Sequence, residues 1–91
     1  MVLNFFNSQV EQLMKLDYKF YYGIARAGEP LTFSTIGEDG ELQVEVNAYE
    51  KDGKLIVAFD SDTNGGGRWK KNKDYQEYVL TSKNEWRTQD R

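Results

Sequence analysis

Two Asp-Gly pairs, Asp39-Gly40 and Asp52-Gly53, constrain this chain more than any other feature. Asp-Gly suits a two-residue hairpin because both central positions of a type I′ turn need positive φ. Between the two pairs, Leu42, Val44, Val46 and Ala48 alternate with Gln43, Glu45, Asn47 and Tyr49. That period of two belongs to a half-buried strand. The flanking runs supply strands over about 31–36 and 54–60, so an antiparallel meander is expected with its central strand over about 41–49. A fourth strand is expected over about 75–81, where Tyr, Val and Thr dominate.

Upstream of the meander, Ser8-Gln9-Val10-Glu11 has the form of a capping box. Phe6, Val10, Leu13, Leu16 or Asp17, Phe20 and Ile24 follow helical spacing, and Gly28 with Pro30 forms a stop signal. These features predict one helix over about 5–27. Tyr18, Phe20, Tyr22 and Ile24 also alternate, so a strand over 18–24 is the competing reading. Ninety-one residues allow one domain, 1–91, of α+β class: an N-terminal helix packed on a three- to four-stranded antiparallel meander. Residues 61–73 read as a glycine-rich basic loop and 82–91 as a polar tail that frays unless Trp86 docks. Thirteen aromatics supply large apolar areas for a small core.

The chain contains no histidine and no cysteine. A Ser-His-Asp triad, a Cys-His pair, a zinc site of the usual ligands and a haem axial histidine are therefore excluded. A carboxylate pair remains open to acid–base work, but the acids cluster at turns and on the polar strand face, where water keeps them unperturbed. No apolar run reaches the roughly 20 residues that span a bilayer, and no basic-then-apolar leader opens the chain. The lack of cysteine makes the cytoplasm the expected compartment.

Charge is distributed unevenly. Residues 29–62 carry nine acids against Lys51 and Lys54, whereas 63–91 carry seven bases against four acids. Three surfaces follow as candidates. The first is an acidic hairpin face of Glu38, Asp39, Glu41, Glu45, Glu50 and Asp52. The second is the segment Gly65-Gly66-Gly67-Arg68-Trp69-Lys70-Lys71-Asn72-Lys73. Its glycines free backbone N–H groups for an anion, and Arg68, Trp69, Lys70, Lys71 and Lys73 add charge and a stacking ring. The plain alternative anchors Trp69 in the core and leaves the lysines in water. The third is an aromatic helix face of Tyr18, Tyr21 and Tyr22 beside Met14, which suits a partner or homodimer seam unless a curved sheet wraps it.

Asp60-Ser61-Asp62-Thr63-Asn64-Gly65 matches the first half of an EF-hand loop. Position twelve, however, is Lys71 in place of the bidentate glutamate, so Asp60, Asp62 and Asn64 compete as a cation site with ordinary turn chemistry.

From Phe33 onward the order of features resembles the FMN-binding split barrel of the pyridoxamine 5′-phosphate oxidase-like family. The matching stretches are Ser34 to Gly40, then Asp52-Gly53 and a strand ending at Phe59, then Arg68-Trp69-Lys70-Lys71-Asn72. Leu42 stands where that family has the proline of Gly-x-Pro, and its loop base near Thr63 to Gly65 is missing. The resemblance implies a shortened member, with Arg68, Lys70 and Trp69 to hold an FMN phosphate and ring.

Polarised charge, surplus aromatics and a bare catalytic vocabulary point to a non-catalytic interaction protein without a cofactor. The expected partner is a protein with a basic surface, with a homodimer as a further expectation. Nucleic acid is disfavoured by the acidic total. Small domains of this kind occur among phage- and mobile-element-type inhibitors of host factors. The alternative is a small flavin- or anion-binding domain using residues 65–73.

Overall fold

The computed structural model describes residues 2–37 and 40–88. Two helices, α1 (Val2–Leu13) and α2 (Tyr18–Ala27), precede five strands: β1 (Leu31–Gly37), β2 (Gly40–Lys51), β3 (Lys54–Gly65), β4 (Arg68–Leu80) and β5 (Trp86–Thr88). The strands form one antiparallel meander in the order β1-β2-β3-β4-β5. The α+β class holds, but the sheet is larger than three to four strands.

The single helix expected over 5–27 is divided at residues 14–17. Asp17 falls where the apolar stripe through Phe6, Val10 and Leu13 needs another apolar side chain. Instead it adopts extended backbone as the N-cap of α2, its carboxylate accepting from the Phe20 N–H at 3.1 Å. An aspartate there satisfies a donor that no intrahelical carbonyl can reach. Ser8 consequently lies inside α1 and caps nothing. Residues 18–24 are helical, which resolves the helix-or-strand alternative, and Gly28 ends α2 in the left-handed region with its N–H on the Ile24 carbonyl.

The broken helix pair is tied together by aromatic donors. The Tyr21 hydroxyl donates to the Leu13 carbonyl, and the Trp86 indole donates to the Met14 carbonyl at 3.0 Å. Carbonyls in the last turn of a helix lack intrahelical partners, so these side chains complete the end of α1. Tyr18 N–H, an orphan donor in the first turn of α2, is met by Asn84 Oδ1 at 2.7 Å. Trp86 of β5 pairs with Leu80 of β4, so within the segment 82–91 expected to fray, residues 86–88 form a docked edge strand, while 89–91 lie outside the described residues.

The helix-facing side of the sheet carries Val44, Val46, Ala48, Leu55, Val57, Phe59 and Leu80, packed against Phe6, Val10, Leu13, Tyr21 and Ile24. The rings of Tyr21, Phe59, Tyr78 and Trp86 meet edge-on or tilted at 5.2–6.5 Å, the geometry that aromatic quadrupoles favour.

Asp52 and Gly53 have φ of 54° and 75°, as a type I′ turn requires. The expected loop over 61–73 does not exist as a loop. β3 runs through to Gly65, Gly66 and Gly67 make a tight turn at φ 62° and 82°, and β4 starts at Arg68. Strand pairing holds this stretch extended despite its turn-like composition. Asn72 bonds both Ser61 (3.1 Å) and Thr63 (2.9 Å), and Ser61 donates to Asp74.

Candidate functional site

Cross-strand pairs share a face of a sheet, so the register assigns every β residue to the helix side or to the open side. On the open side Glu45 lies directly opposite Asp60, which lies opposite Tyr75. The next row is Gln43, Asp62 and Lys71, and the next is Glu41, Asn64 and Trp69. In the other direction Asn47, Ala58 and Glu77 form a row, followed by Tyr49, Ile56, Val79 and Arg87. The centre of the face is therefore acidic, and exposed rings border it: Tyr49 (37%), Tyr75 (51%) and Trp69 (49%).

Lys71 Nζ meets Asp60 Oδ2 at 3.1 Å, while Asp60 Oδ1 is buried with no hydrogen-bond partner among the described residues. Burial pushes the Glu45 carboxyl up, and the neighbouring charges of Asp60 and Asp62 add to it against the opposing pull of Lys71. Lys71 is raised by its hydrogen bond to Asp60 and by that carboxylate's charge. Tyr75 donates to Glu77 at 2.5 Å and is pushed up to about 12, first by that bond and then by burial. Tyr49 approaches the other Glu77 oxygen at 3.5 Å, and its phenol is raised by burial and then by Glu77. Among the described residues one cation, Lys71, thus serves a cluster of four acids, and like charges face each other across β2 and β3.

The candidate residues are redistributed by this geometry. Of the acidic set, Glu41 and Glu45 share the open face. Glu50 pairs with the core residue Leu55 and so lies on the helix side, Asp52 occupies a turn, and Glu38 and Asp39 lie outside the described residues. Asp60, Asp62 and Glu77 complete the acidic centre. Asp60 and Glu77 already fall within the strands expected over 54–60 and 75–81 and lack only the register, whereas Asp62 requires β3 to continue past residue 60.

The basic segment is not a cradle. Gly65 is paired with Arg68, and successive residues of β4 alternate sides: Lys70 opposes Thr63 on the helix side, while Trp69 and Lys71 face the open side. Lys71 is engaged by Asp60, and the Lys73 side chain lies outside the described residues. A cleft of about 460 Å³ between Thr63, Gly65, Arg68, Trp69 and Lys70 remains. A second of about 560 Å³ lies at the opposite end of the open face, where Lys51, Lys54 and Arg87 surround Ile56 and Val79.

The aromatic helix face is largely core. Tyr21 is fully buried, and Tyr18 and Tyr22, stacked at 5.8 Å, pack half-buried against the core. Of the expected seam only Tyr18 and Tyr22 keep partial exposure, because the break between α1 and α2 turns Tyr21 inward. Asp60, Asp62 and Asn64 stand at alternate positions of an extended strand, about 6.6 Å per two-residue step, and do not converge as loop ligands do. No cluster of three metal-ligating side chains occurs among the described residues. None of the helices is long and apolar enough to cross a membrane. No protein-family model, curated protein or solved structure matches the chain.

Proposed function

We propose that this chain is a non-catalytic protein-binding module that holds a basic surface of another protein on the open face of its sheet. The observation that carries this reading is Glu45 directly opposite Asp60, with Asp62 beside them and Lys71 as the one bridging cation among the described residues. Like charges opposed across a strand pair destabilise a sheet, so nothing in the fold requires them. A partner's lysines and arginines relieve that repulsion on binding. Tyr49, Tyr75 and Trp69 add the aromatic contacts that enrich interfaces. The longer extents of the molecule, 41 and 25 Å, accommodate the roughly 800 Å² per partner of a standard interface. The module acts in the cytoplasm by occupancy, as a phage- or mobile-element-type inhibitor of a host factor does.

Calorimetric titration with an arginine- and lysine-rich synthetic peptide tests the charge chemistry. Affinity falls at least about tenfold when salt is raised from about 50 to about 500 mM, because opposite-charge attraction is screened. The pair Glu45→Gln and Asp62→Asn lowers affinity at low salt, and an acidic peptide does not bind. Binding that ignores salt and both substitutions refutes the reading. The cleft beside Trp69 carries one other reading, an FMN phosphate or other anion held by Arg68 and Lys70 with the indole against the ring. Trp fluorescence unchanged at a large excess of FMN refutes it.

A further inference from the structure

The meander ends in two edges that are built differently. Along β4, β5 covers only residues 78–80. The rest is broken by the register shift between Asp60 and Asp62, which leaves residues 72–74 outside the ladder, and it carries Arg68, Lys70 and Lys71. A bulge and basic side chains are devices that keep an edge from pairing with another chain.

β1 has neither. Its seven residues pair with β2 without a shift, from Leu31–Val46 to Gly37–Gly40. Leu-Thr-Phe-Ser-Thr-Ile-Gly contains no charge and no proline and is rich in β-formers. Both helices pack over β2 and β3, and Ile36 is 80% and Leu31 38% exposed. In an antiparallel pair alternate residues turn their N–H and C=O groups away from the partner strand, so β1 offers an open row of donors and acceptors.

From these two edges we infer that β1 pairs antiparallel with β1 of a second copy, joining two five-stranded sheets into one. A two-fold axis through Ser34 sets Ile36 of one copy opposite Thr32 of the other on the open side, a β-branched pair of the kind that stabilises cross-strand contact. Phe33 of one copy meets Thr35 of the other on the helix side. The occupant is a second copy for two reasons. The strand is neutral, so self-pairing opposes no like charges. The carboxylates of the adjoining strands, Glu41 and Glu45 on the two β2 strands, lie three strand spacings apart, about 14 Å, beyond the Debye length of about 8–10 Å. Moreover, self-pairing consumes both undefended edges at once and leaves only the two bulged, basic β4 edges outward. A foreign strand would bring an edge of its own.

Sedimentation equilibrium tests this with the wild type, Ile36→Lys, and Thr32→Lys with Ile36→Lys. In one copy position 32 lies opposite Glu45 and position 36 opposite Glu41, so the lysines gain partners within the monomer and the thermal midpoint holds or rises. From about 5 µM to about 1 mM the wild-type mass rises from 10.6 kDa toward twice that value, and the double variant stays at 10.6 kDa. Hydrogen exchange at β1 amides slows with concentration in the wild type alone. A wild type that stays at 10.6 kDa throughout, or variants that associate within a few-fold of it, overturns the inference.

Discussion

Replacing Tyr21 by phenylalanine isolates the bond that closes the broken helix pair. The residue is fully buried, its ring lies edge-on to Trp86 at 5.2 Å, and its hydroxyl donates to the Leu13 carbonyl. Phenylalanine keeps the ring and its contacts. The Leu13 carbonyl still accepts from the Leu16 N–H at 3.0 Å, so it is not stranded. The loss is therefore the net value of one hydrogen bond, about 1 kcal/mol at pH 7. For a domain of this size that lowers the melting midpoint by roughly 4–8 °C. Alkaline pH gives the sharper test. Burial raises the Tyr21 phenol above its ordinary value, so above pH 10 the native state holds a proton that the unfolded chain releases. The stability this proton secures is intact below about pH 10 and declines above it, by up to about 1.4 kcal/mol per pH unit. Tyr21→Phe lacks that loss. Urea denaturation of both proteins from pH 7 to 11 shows the deficit of the variant shrinking above pH 10 and then reversing. Tyr49 and Tyr75 titrate in both proteins and cancel in the difference. A difference that stays flat across this range, or a deficit above about 3 kcal/mol at pH 7, refutes the reasoning, because neither fits one buried bond.

Two glycines with opposite roles make a paired test. A Cβ on Gly40, at φ 125°, would lie 2.0 Å from the Asn64 carbonyl oxygen, so Gly40→Ala forces the β1–β2 hairpin off β3 and costs more than about 3 kcal/mol in urea melts. Gly23 has nothing within 4 Å on a helix interior, so Gly23→Ala raises stability by about 0.5–1 kcal/mol. Glu45→Gln should raise the thermal midpoint at pH 7, by the equivalent of about 0.2–1 kcal/mol. The raised carboxyl of Glu45 means that its ionisation on the folded sheet costs stability that is present at low pH and lost as pH rises through its folded value. The gain accordingly fades toward pH 3, and a gain independent of pH counts against the opposed-carboxylate account.

How much of this was legible in the sequence depended on whether the deciding partner was near in the chain. Asp52-Gly53 and the alternation from Leu42 to Ala48 act locally, and they locate β2, its turn and β3 up to Phe59. Asp17 is equally local but ambiguous, because helical spacing counts it as a stripe position while capping chemistry makes it a boundary. The stretch from Ser61 to Gly65 has turn composition, and it is a strand because Asn72 and Asp74 bond to Ser61 and Thr63 from β4 while Lys71 pairs with Asp62. Those bonds are properties of register, which composition does not record. The site followed the same rule. Period two marks Glu41 and Glu45, whereas Asp60 and Glu77 join them through the register of strands already expected, and Asp62 joins only because β3 continues past residue 60.

The open face and the bare edge constrain each other. Two acidic centres repel, so copies of this chain do not stack face to face. A neutral edge beside a charged face leaves edge-to-edge pairing as the route by which copies associate. The two-fold axis of such a pair is perpendicular to the sheet, which puts both acidic faces on the same side. A partner with repeated basic surfaces then engages two faces at once, and the second contact is made at the high effective concentration of a tethered site. Glu45 opposite Asp60 takes stability from a domain whose whole margin is a few kcal/mol. Such a sacrifice is expected where a surface is shaped for binding rather than for folding. The edge lysines Thr32→Lys and Ile36→Lys therefore separate the two ideas. They weaken one-to-one binding of a short basic peptide by partly neutralising Glu45 and Glu41, and they cost more for a basic partner presented in two copies, because the tethered second contact is lost as well.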